Sequence, residues 1–265
     1  MVPIAVTIAG SDSSGGAGIQ ADLKTFSALG VYGASVITAL TAQNTQGVTA
    51  IHDVPPAFIT AQIDAVFSDL RVDAVKIGML SVPAAIDAVA GGLDRFPLSC
   101  IVLDPVMVAT SGAQLLAAAA VDALRRELIP RASLITPNLL EAAALIGDEV
   151  ADDETAMRRQ GDALLEFGAR AVLIKGGHGG GEASIDLLIE PAGVTRFTAA
   201  RIATRNTHGT GCTLSSAIAA GLAKGLSLAM AVGAAKDYVT KAIAAADRLG
   251  LGTGHGPVHH FHGWW

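Results

Sequence analysis

The sequence contains little of what would reveal a function at once. Only two cysteines, Cys100 and Cys212, occur among the 265 residues, which excludes a disulfide-stabilised scaffold and fits a reducing compartment. Aromatic residues make up 4% of the chain, so alanine and branched aliphatic side chains must fill the core. We therefore expect a cytoplasmic protein that is stabilised by aliphatic packing.

Basic tracts and long apolar runs are also missing. The net charge is −6 at pH 7 and the cations are scattered, which argues against nucleic acid or an acidic membrane as a partner. No apolar run reaches the roughly 18 residues that a membrane-spanning helix needs. The first residues, Met-Val-Pro-Ile-Ala-Val, have neither a basic segment nor a cleavage pattern, so we expect a strand there and not a signal peptide.

What the sequence does have is a sustained alternation of strand and helix patterns. This alternation predicts an α/β fold: one domain over residues 1–265 with a doubly wound, mostly parallel central sheet and helices on both faces. Right-handed crossovers would bring the loops after the strands to one edge of that sheet. Strands are predicted at 2–9, 34–40, 71–77, 100–104, 133–138, 171–175, 184–189 and 194–198, and the converging loops at 10–18, 41–47, 78–80, 104–112, 136–141, 175–178 and 206–212.

The chain is organised around the stretch Asn206-Thr-His-Gly-Thr-Gly-Cys-Thr-Leu-Ser-Ser216. Gly209, Thr210 and Gly211 precede a helical pattern, so several unpaired N–H groups and the helix dipole would together favour a phosphate or a developing oxyanion. Cys212 lies at the mouth of that turn, where a helix N-terminus would lower its pKa and make thiolate accessible. A capped helix with a permissive turn and a core cysteine is the structural alternative.

Charged residues end several predicted strands. Asp104 ends one strand, Glu141 follows another, and Lys175 ends a third. The two carboxylates could hold Mg²⁺, mainly through water, and the lysine could neutralise phosphate charge or be a solvated strand end. Phosphoryl transfer needs this combination of groups. The rival use of Cys212 is as a thiolate nucleophile that forms a covalent intermediate.

Other features have a functional and a structural interpretation. Gln43, within an amide-rich run, could pair with a polar heterocycle, because its amide both donates and accepts; taken alone, the run favours an ordinary polar turn. Asp22 is either a favourable charge near a helix N-terminus or a ligand contact. Met79 lines a pocket or the core. We expect the His- and Trp-rich tail, residues 254–265, to dock on the body and bury its tryptophans.

Together these motifs resemble the ribokinase-like superfamily and, within it, the bacterial hydroxymethylpyrimidine/phosphomethylpyrimidine kinases. The resemblance covers nearly the whole chain, and its specificity comes from the order of the motifs. They are Ala9-Gly-Ser-Asp-Ser-Ser-Gly-Gly-Ala-Gly-Ile-Gln-Ala-Asp-Leu-Lys24, Thr38-Ala-Leu-Thr-Ala-Gln-Asn-Thr45, Lys76-Ile-Gly-Met-Leu80, Leu134-Ile-Thr-Pro-Asn138 with Glu141, Lys175-Gly-Gly-His178, Asn206 to Ser215, and Gly256-Pro-Val-His-His-Phe-His262.

The resemblance implies a homodimeric kinase that uses ATP and Mg²⁺ twice. It would phosphorylate 4-amino-5-hydroxymethyl-2-methylpyrimidine and then the monophosphate, for thiamine biosynthesis. Alternatives are a pyridoxal or pyridoxine kinase and a non-catalytic vitamer- or nucleotide-binding regulator. By resemblance, Gln43 binds the aminopyrimidine in a pocket lined by Gly10, Asp22, Met79 and Val106; Cys212 stands where many relatives carry an aspartate base, in the Gly209–Gly211 anion hole beside Lys175; and Asp104, Asn138, Glu141 and Lys236 serve the nucleotide and the metal.

Overall fold

The computed structural model of the chain describes residues 1–107, 118–177 and 182–265. Strands and helices alternate through most of it, as the sequence predicts. The strands are β1 (Ile4–Ala9), β2 (Tyr32–Ile37), β3 (Ala39–Asn44), β4 (Gly47–Asp53), β5 (Ala74–Ile77), β6 (Ile101–Leu103), β7 (Leu134–Ile135), β8 (Val172–Lys175), β9 (Ala183–Glu190) and β10 (Gly193–Ala200). The helices are α1 (Gly18–Ala28), α2 (Pro56–Phe67), α3 (Pro83–Leu93), α4 (Ala118–Ala123), α5 (Leu139–Ile146), α6 (Glu154–Leu165), α7 (Thr210–Ala223) and α8 (Leu228–Ala244).

Eight of these strands form one twisted sheet in the order β10-β9-β8-β7-β6-β5-β1-β2. Within this sheet the neighbouring pairs β2–β1, β1–β5, β5–β6, β6–β7 and β7–β8 are parallel. The pairs β8–β9 and β9–β10 are antiparallel. The fold class predicted from the alternation, a mostly parallel α/β sheet, is therefore confirmed. The antiparallel edge is the hairpin that the alternating pattern of residues 184–198 indicated.

Aliphatic side chains fill both faces of the sheet. One core cluster, which includes Val6 and Ile8, packs against α2, α3, α5 and α6; the other, which includes Ala5, packs against α1, α7 and α8. Small residues let α7 and α8 approach closely, because a Cβ placed on Gly221 would lie 2.9 Å from that of Ala231. Within the described ranges, no helix is both long and apolar enough to cross a membrane.

The structure differs from expectation between residues 38 and 53. The run 41–47 is not a simple turn: β3 and β4 form a separate antiparallel hairpin with a register shift at Ala42/Gln43. The Asn44 side chain accepts the N–H groups of Gln46 and Gly47, at 2.8 and 3.2 Å. Such an Asx turn closes a short connection between two strands. The polar composition concealed the extended conformation on either side of it.

The C-terminal tail docks on the body as expected, but not through its tryptophans. Val258, His259 and His260 are buried, whereas Trp264 and Trp265 are each 72% exposed. The expectation that the tryptophans are buried was wrong. Parts of two predicted loops, residues 108–112 of the loop at 104–112 and His178 of the loop at 175–178, lie outside the described residues.

Candidate active site

Two glycine-rich loops meet at the edge of the sheet. Gly209 caps α7 with φ of +79°, and a Cβ there would overlap the carbonyl oxygen of Gly16 in the loop before α1. A Cβ on Gly16 would in turn overlap the ring of His208. Only glycine permits this positive φ together with such a close backbone approach. The turn at 209–211 and the first helical amides of α7 therefore lie against the loop at 12–17.

Cys212 lies in the first turn of α7, beside the N-terminus of α1. The backbone N–H of Gly18 lies near its sulfur and favours the ionised form. Burial nevertheless raises the pKa of the thiol to about 11, because desolvation outweighs the positive charge of Lys76, while Asp22 and Asp104 oppose ionisation further. The expectation of an accessible thiolate is wrong: at neutral pH the group is a thiol.

A buried lysine–aspartate pair lies next to the turn. Lys175 Nζ is 2.8 Å from Asp104 Oδ1, and a Cβ on Gly211 would be 3.4 Å from that nitrogen. Thr136 and Ser215 hydroxyls donate to the same carboxylate, at 3.1 and 3.3 Å. Burial would raise the pKa of Asp104, but the nearby lysines lower it below its ordinary value. The structure therefore brings a positive charge to the anion-hole turn, as predicted for Lys175.

A second lysine–aspartate pair lies deeper. Lys76 Nζ contacts both oxygens of Asp22, at 2.9 and 2.8 Å, and neither side chain is exposed. Thr7 and Ser216 hydroxyls donate to the same carboxylate, at 2.6 and 2.7 Å. Asp22 thus supports Lys76 and α7 and has no surface facing a pocket. Sequence reasoning missed Lys76, although a lysine within the apolar run Ala-Val-Lys-Ile was a signal.

Each lysine–aspartate pair is hydrogen-bonded to helix α7 through one of two adjacent serines. Ser215 and Ser216 follow Cys212 by three and four residues, which places them on its face of α7. Ser215 contacts Asp104 and Ser216 contacts Asp22. The orientation of the first turn of α7 is therefore fixed by two buried ion pairs.

Glu141 completes the charged cluster. It forms a capping box with Asn138: the Asn138 side chain accepts from the Glu141 N–H at 2.9 Å, and Glu141 accepts from the Asn138 N–H at 2.7 Å. Burial raises the pKa of Glu141 to about 7, partly offset by Lys175 at 3.8 Å. Asn138 therefore positions Glu141, and this carboxyl group is poised between its two protonation states.

Magnesium suits the donors in this cluster. Within the described residues no group of three or more His, Cys, Asp and Glu side chains gathers into a site for a metal ion. Asp104 and Glu141 instead converge on Lys175, with phosphate oxygens and water left to complete any coordination shell. Mg²⁺ is ordinarily held in this way, through one or two carboxylates and the substrate phosphates.

Lys236, predicted to serve the nucleotide, is engaged elsewhere. Its Nζ contacts Asp186 at 2.7 Å and Ser184 at 3.0 Å, and it is 7% exposed. Asp186 also accepts the N–H of Gly176 at 3.0 Å. Lys236 therefore anchors the segment that follows Lys175 through Asp186.

The residues predicted to bind a heterocycle lie on the hairpin side. Gln43 is held by its backbone: the Ser13 hydroxyl accepts from its N–H at 2.8 Å and donates to its carbonyl at 2.9 Å. Its side-chain amide lies 3.0 Å from Thr41 Oγ1 and 3.3 Å from His208 Nε2. The structure thus places the Gln43 amide beside the residue that precedes the anion-hole turn.

Three other predicted pocket residues follow neighbouring strands. A Cβ on Gly10 would overlap the methyl group of Met79. Met79 follows β5, and Val106 follows β6, where its N–H donates to the Asp104 carbonyl at 2.8 Å. Gly10 and Met79 are thus in contact, and Val106 lies beyond the adjacent strand.

Asp12 and His208 form a link that the sequence did not reveal. His208 Nε2 is 2.8 Å from Asp12 Oδ2, and Asp12 also accepts the N–H groups of Ser14, Gly16 and Ala17, at 2.8–3.0 Å. Burial would raise the pKa of Asp12, but hydrogen bonds from His208 and Ser14 lower it well below its ordinary value. The pair joins the first loop to the anion-hole turn.

The chain that carries this site matches a known protein family along most of its length. The model described as phosphomethylpyrimidine kinase matches residues 12–259. The chain belongs to the phosphomethylpyrimidine kinase family. It is 62% identical to the hydroxymethylpyrimidine/phosphomethylpyrimidine kinase of Rhizobium meliloti (strain 1021), over 100% of this chain and 99% of that protein.

Other relatives extend this comparison. The chain is 53% identical to the thiamine biosynthesis bifunctional protein of Geobacter sulfurreducens, over 96% of this chain and 51% of that protein. It is also similar to Bacillus subtilis pyridoxal kinase, solved as an ADP complex, with a TM-score of 0.90, 37% identity and 98% of both chains covered. As a member of the phosphomethylpyrimidine kinase family, the chain is a phosphotransferase, and the family resemblance is confirmed.

Proposed function

We propose that the chain transfers the γ-phosphoryl group of ATP to 4-amino-5-hydroxymethyl-2-methylpyrimidine and then to the resulting monophosphate, producing the diphosphate for thiamine biosynthesis. The observation that carries the proposal is the placement of the Gln43 amide 3.3 Å from His208, immediately before the anion-hole turn. A heterocycle bound by Gln43 would extend its hydroxymethyl group towards the turn. The identity to hydroxymethylpyrimidine/phosphomethylpyrimidine kinases supports the substrate.

Recognition of the aminopyrimidine depends on complementary hydrogen bonding. Gln43 offers an amide oxygen to the exocyclic amino group and an amide N–H to the adjacent ring nitrogen. Ser13 fixes its backbone through two hydrogen bonds, so little main-chain entropy is lost on binding. Gly10, Met79 and Val106 provide the apolar wall. Asp22 acts from beneath the pocket by holding Lys76.

Phosphoryl transfer would take place at the N-terminus of α7. The backbone N–H groups of Gly209 and Gly211 would stabilise the transferring phosphoryl group, and Lys175 would neutralise charge beside them. The Thr210 N–H donates within the turn, to the Thr207 carbonyl at 3.2 Å. Cys212, held as a thiol, would lie by the acceptor oxygen and relay its proton in one concerted step, in which the sulfur takes the hydroxyl proton as its own proton passes to an oxygen of the phosphoryl group. A loose transition state places little demand on the strength of the base, so a thiol with a pKa near 11 is compatible with turnover.

Asp104 and Glu141 would hold Mg²⁺, largely through water. When bound, the ion would neutralise phosphate charge and orient the leaving group. Lys175 spans both carboxylates, at 2.8 and 3.8 Å, and keeps them close together before the nucleotide arrives. Asn138 sets the position of Glu141 through the capping box.

We also propose that the protein is a cytoplasmic homodimer. The β3–β4 hairpin stands apart from the main sheet and exposes Leu40 and Ile51, by 47% and 40%. Exposed apolar side chains on an edge ribbon are suited to cover by a second copy. Light scattering after size exclusion tests the dimer, and a monomer at micromolar concentration would contradict it.

The experiment that tests the function is an ADP-release assay with ATP and Mg²⁺. Hydroxymethylpyrimidine, its monophosphate and pyridoxal are compared side by side, and phosphorus NMR identifies each product. Turnover of both pyrimidines is expected. Turnover of pyridoxal alone would retain the phosphotransferase and refute the substrate.

A further inference from the structure

The C-terminal strap, residues 252–260, lies between the hairpin that carries Gln43 and the turn that carries Cys212. On the hairpin side, the His255 N–H donates to the Thr45 carbonyl at 2.8 Å, and the Gly254 N–H donates to Thr45 Oγ1 at 3.2 Å. The Gln46 side chain donates to Thr253 Oγ1 at 2.7 Å. The strap is therefore hydrogen-bonded to the connection between β3 and β4, which begins two residues after Gln43.

On the other side, the strap pairs with the residues that lead into the anion hole. The Gly256 N–H donates to Asn206 Oδ1 at 3.0 Å, the His208 N–H donates to the Gly256 carbonyl at 3.0 Å, and the Val258 N–H donates to the His208 carbonyl at 3.2 Å. Both main-chain groups of His208 are thus bonded to the strap. Gly209, the first residue of the anion-hole turn, follows directly.

The end of the strap is anchored on α7 and α8. The His259 N–H donates to the Ala242 carbonyl at 3.0 Å, and the Tyr238 hydroxyl donates to the His260 carbonyl at 2.6 Å. His260 Nε2 lies 3.1 Å from Thr213 Oγ1, one residue after Cys212. Burial lowers the pKa of His260 to about 3, so the ring is neutral at this contact.

Glycine is required at two positions where the strap meets its neighbours. A Cβ on Gly254 would overlap the Thr45 carbonyl oxygen, and a Cβ on Gly256 would overlap Asn206 Oδ1. Neither residue has a positive φ, so a methyl group there would disturb the contact without straining the backbone of the strap. The two sides of the strap can therefore be perturbed separately.

We propose that the strap is a positioning element, which sets the distance between the pyrimidine held by Gln43 and the phosphoryl group held by the anion-hole turn. This inference rests on the proposed function, because that function places one substrate on each side of the strap. The hairpin is a two-stranded ribbon, and such ribbons are marginally stable alone. Its position therefore depends on attachments such as the strap and Ser13.

The test uses Gly254→Ala and Gly256→Ala in the full-length protein. Gly263→Ala is the matched control, because no heavy atom of the described residues lies within 4 Å of a Cβ placed there, apart from its chain neighbours. Since displacements of about 1 Å cost up to roughly a hundredfold in rate, Gly256→Ala should lower kcat about tenfold or more. Gly254→Ala should mainly raise KM for the pyrimidine. KM for ATP should stay within about twofold in both, as in Gly263→Ala.

A second measurement, hydrogen exchange of the nucleotide-free protein, does not depend on activity. Both strap variants should exchange faster than Gly263→Ala at residues 39–47 and 206–213, while the central sheet stays protected. Kinetic parameters and exchange equal to the control would overturn the positioning role. So would a uniform loss of activity that follows a lowered Tm. If the wild-type protein turned over pyridoxal alone, the proposed function would fail, and the exchange data would still decide the role of the strap.

Discussion

Replacing Cys212 by alanine should lower kcat far more than substrate affinity. The thiol lies beside the anion-hole turn, near the Gly18 N–H, so its loss should leave the fold and both substrate sites intact. Positioned proton transfer typically contributes about 10²- to 10⁴-fold, which corresponds to roughly 3–5 kcal/mol of the barrier. KM for ATP and for the pyrimidine should change by less than about threefold.

The protonation state of Cys212 makes this prediction sharper. With the pKa raised from 9.0 to about 11, the thiolate fraction at pH 7 falls from about 1% to about 10⁻⁴. Alkylation of Cys212 by iodoacetamide, followed by mass spectrometry of its peptide, should therefore be roughly 100-fold slower than for an unperturbed thiol. Between pH 6 and 9 the alkylation rate should rise about tenfold per unit, because the thiolate fraction does so below the pKa.

Turnover should not follow that rise. If the thiol form relays the proton, Cys212 contributes no titration to kcat between pH 6 and 9. Cys212→Ser, which keeps a hydroxyl proton at the same position, should recover part of the activity lost in Cys212→Ala. Rapid alkylation at pH 7, or a kcat that rises tenfold per pH unit in step with alkylation, would refute the reasoning. Near wild-type turnover in Cys212→Ala would remove the thiol from the chemistry.

Gln43→Ala should raise KM for the pyrimidine by roughly 5- to 150-fold, since two neutral hydrogen bonds contribute about 1–3 kcal/mol, and should leave KM for ATP unchanged. An equal rise of both KM values in steady-state kinetics would contradict the assignment. Lys76→Met should destabilise the protein by about 3–5 kcal/mol, because it leaves Asp22 buried and unpaired. The double variant Lys76→Met/Asp22→Leu should recover much of that loss in urea denaturation, and equal instability of the two variants would argue against an unpaired charge as the cause. Chelation of Mg²⁺ should abolish turnover. The apparent affinity for Mg²⁺ should weaken as the pH falls through about 7, because Glu141 becomes protonated there. An affinity that does not change with pH, or one that still changes with pH in Glu141→Gln, would exclude Glu141 from the metal site.

The fold and the edge at which the site lies could be predicted because both follow from local patterns. Strand and helix periodicity gives a mostly parallel sheet, and right-handed crossovers bring the loop ends together. Gly209 and Cys212 could be identified as candidate site residues for the same reason, because a glycine turn followed by an apolar helix is a pattern of consecutive residues. The β3–β4 hairpin was missed because the amide-rich run around Gln43 contains the turn chemistry of a hairpin without long apolar strands on both sides.

The partners of buried charges could not be predicted, because they depend on long-range contacts. Asp22 and Lys76 are 54 residues apart and meet only after α1 and β5 are packed. Asp12 and His208 are 196 apart. A carboxylate near a glycine loop looks like a ligand contact in sequence, and only the folded chain shows that Asp22 already accepts four hydrogen bonds from three donors, Thr7, Lys76 and Ser216. The same ignorance of burial led to the wrong pKa direction for Cys212.

The raised pKa of Cys212 indicates which charged species the site stabilises. A helix N-terminus and Lys76 both favour thiolate, yet burial and two carboxylates outweigh them. The field at the turn is thus not arranged to generate a strong base. It suits an anion: the start of α7 lies beside the ammonium group of Lys175, although the Thr210 N–H donates to the Thr207 carbonyl at 3.2 Å and Lys175 is paired with Asp104. In a loose transition state the charge lies mainly on the phosphoryl oxygens, and the acceptor loses its proton late. A neutral thiol is therefore sufficient if the transfer is concerted: the sulfur takes the proton of the acceptor hydroxyl as its own proton passes to an oxygen of the phosphoryl group. An uncharged thiol also does not repel the nucleotide as an aspartate would.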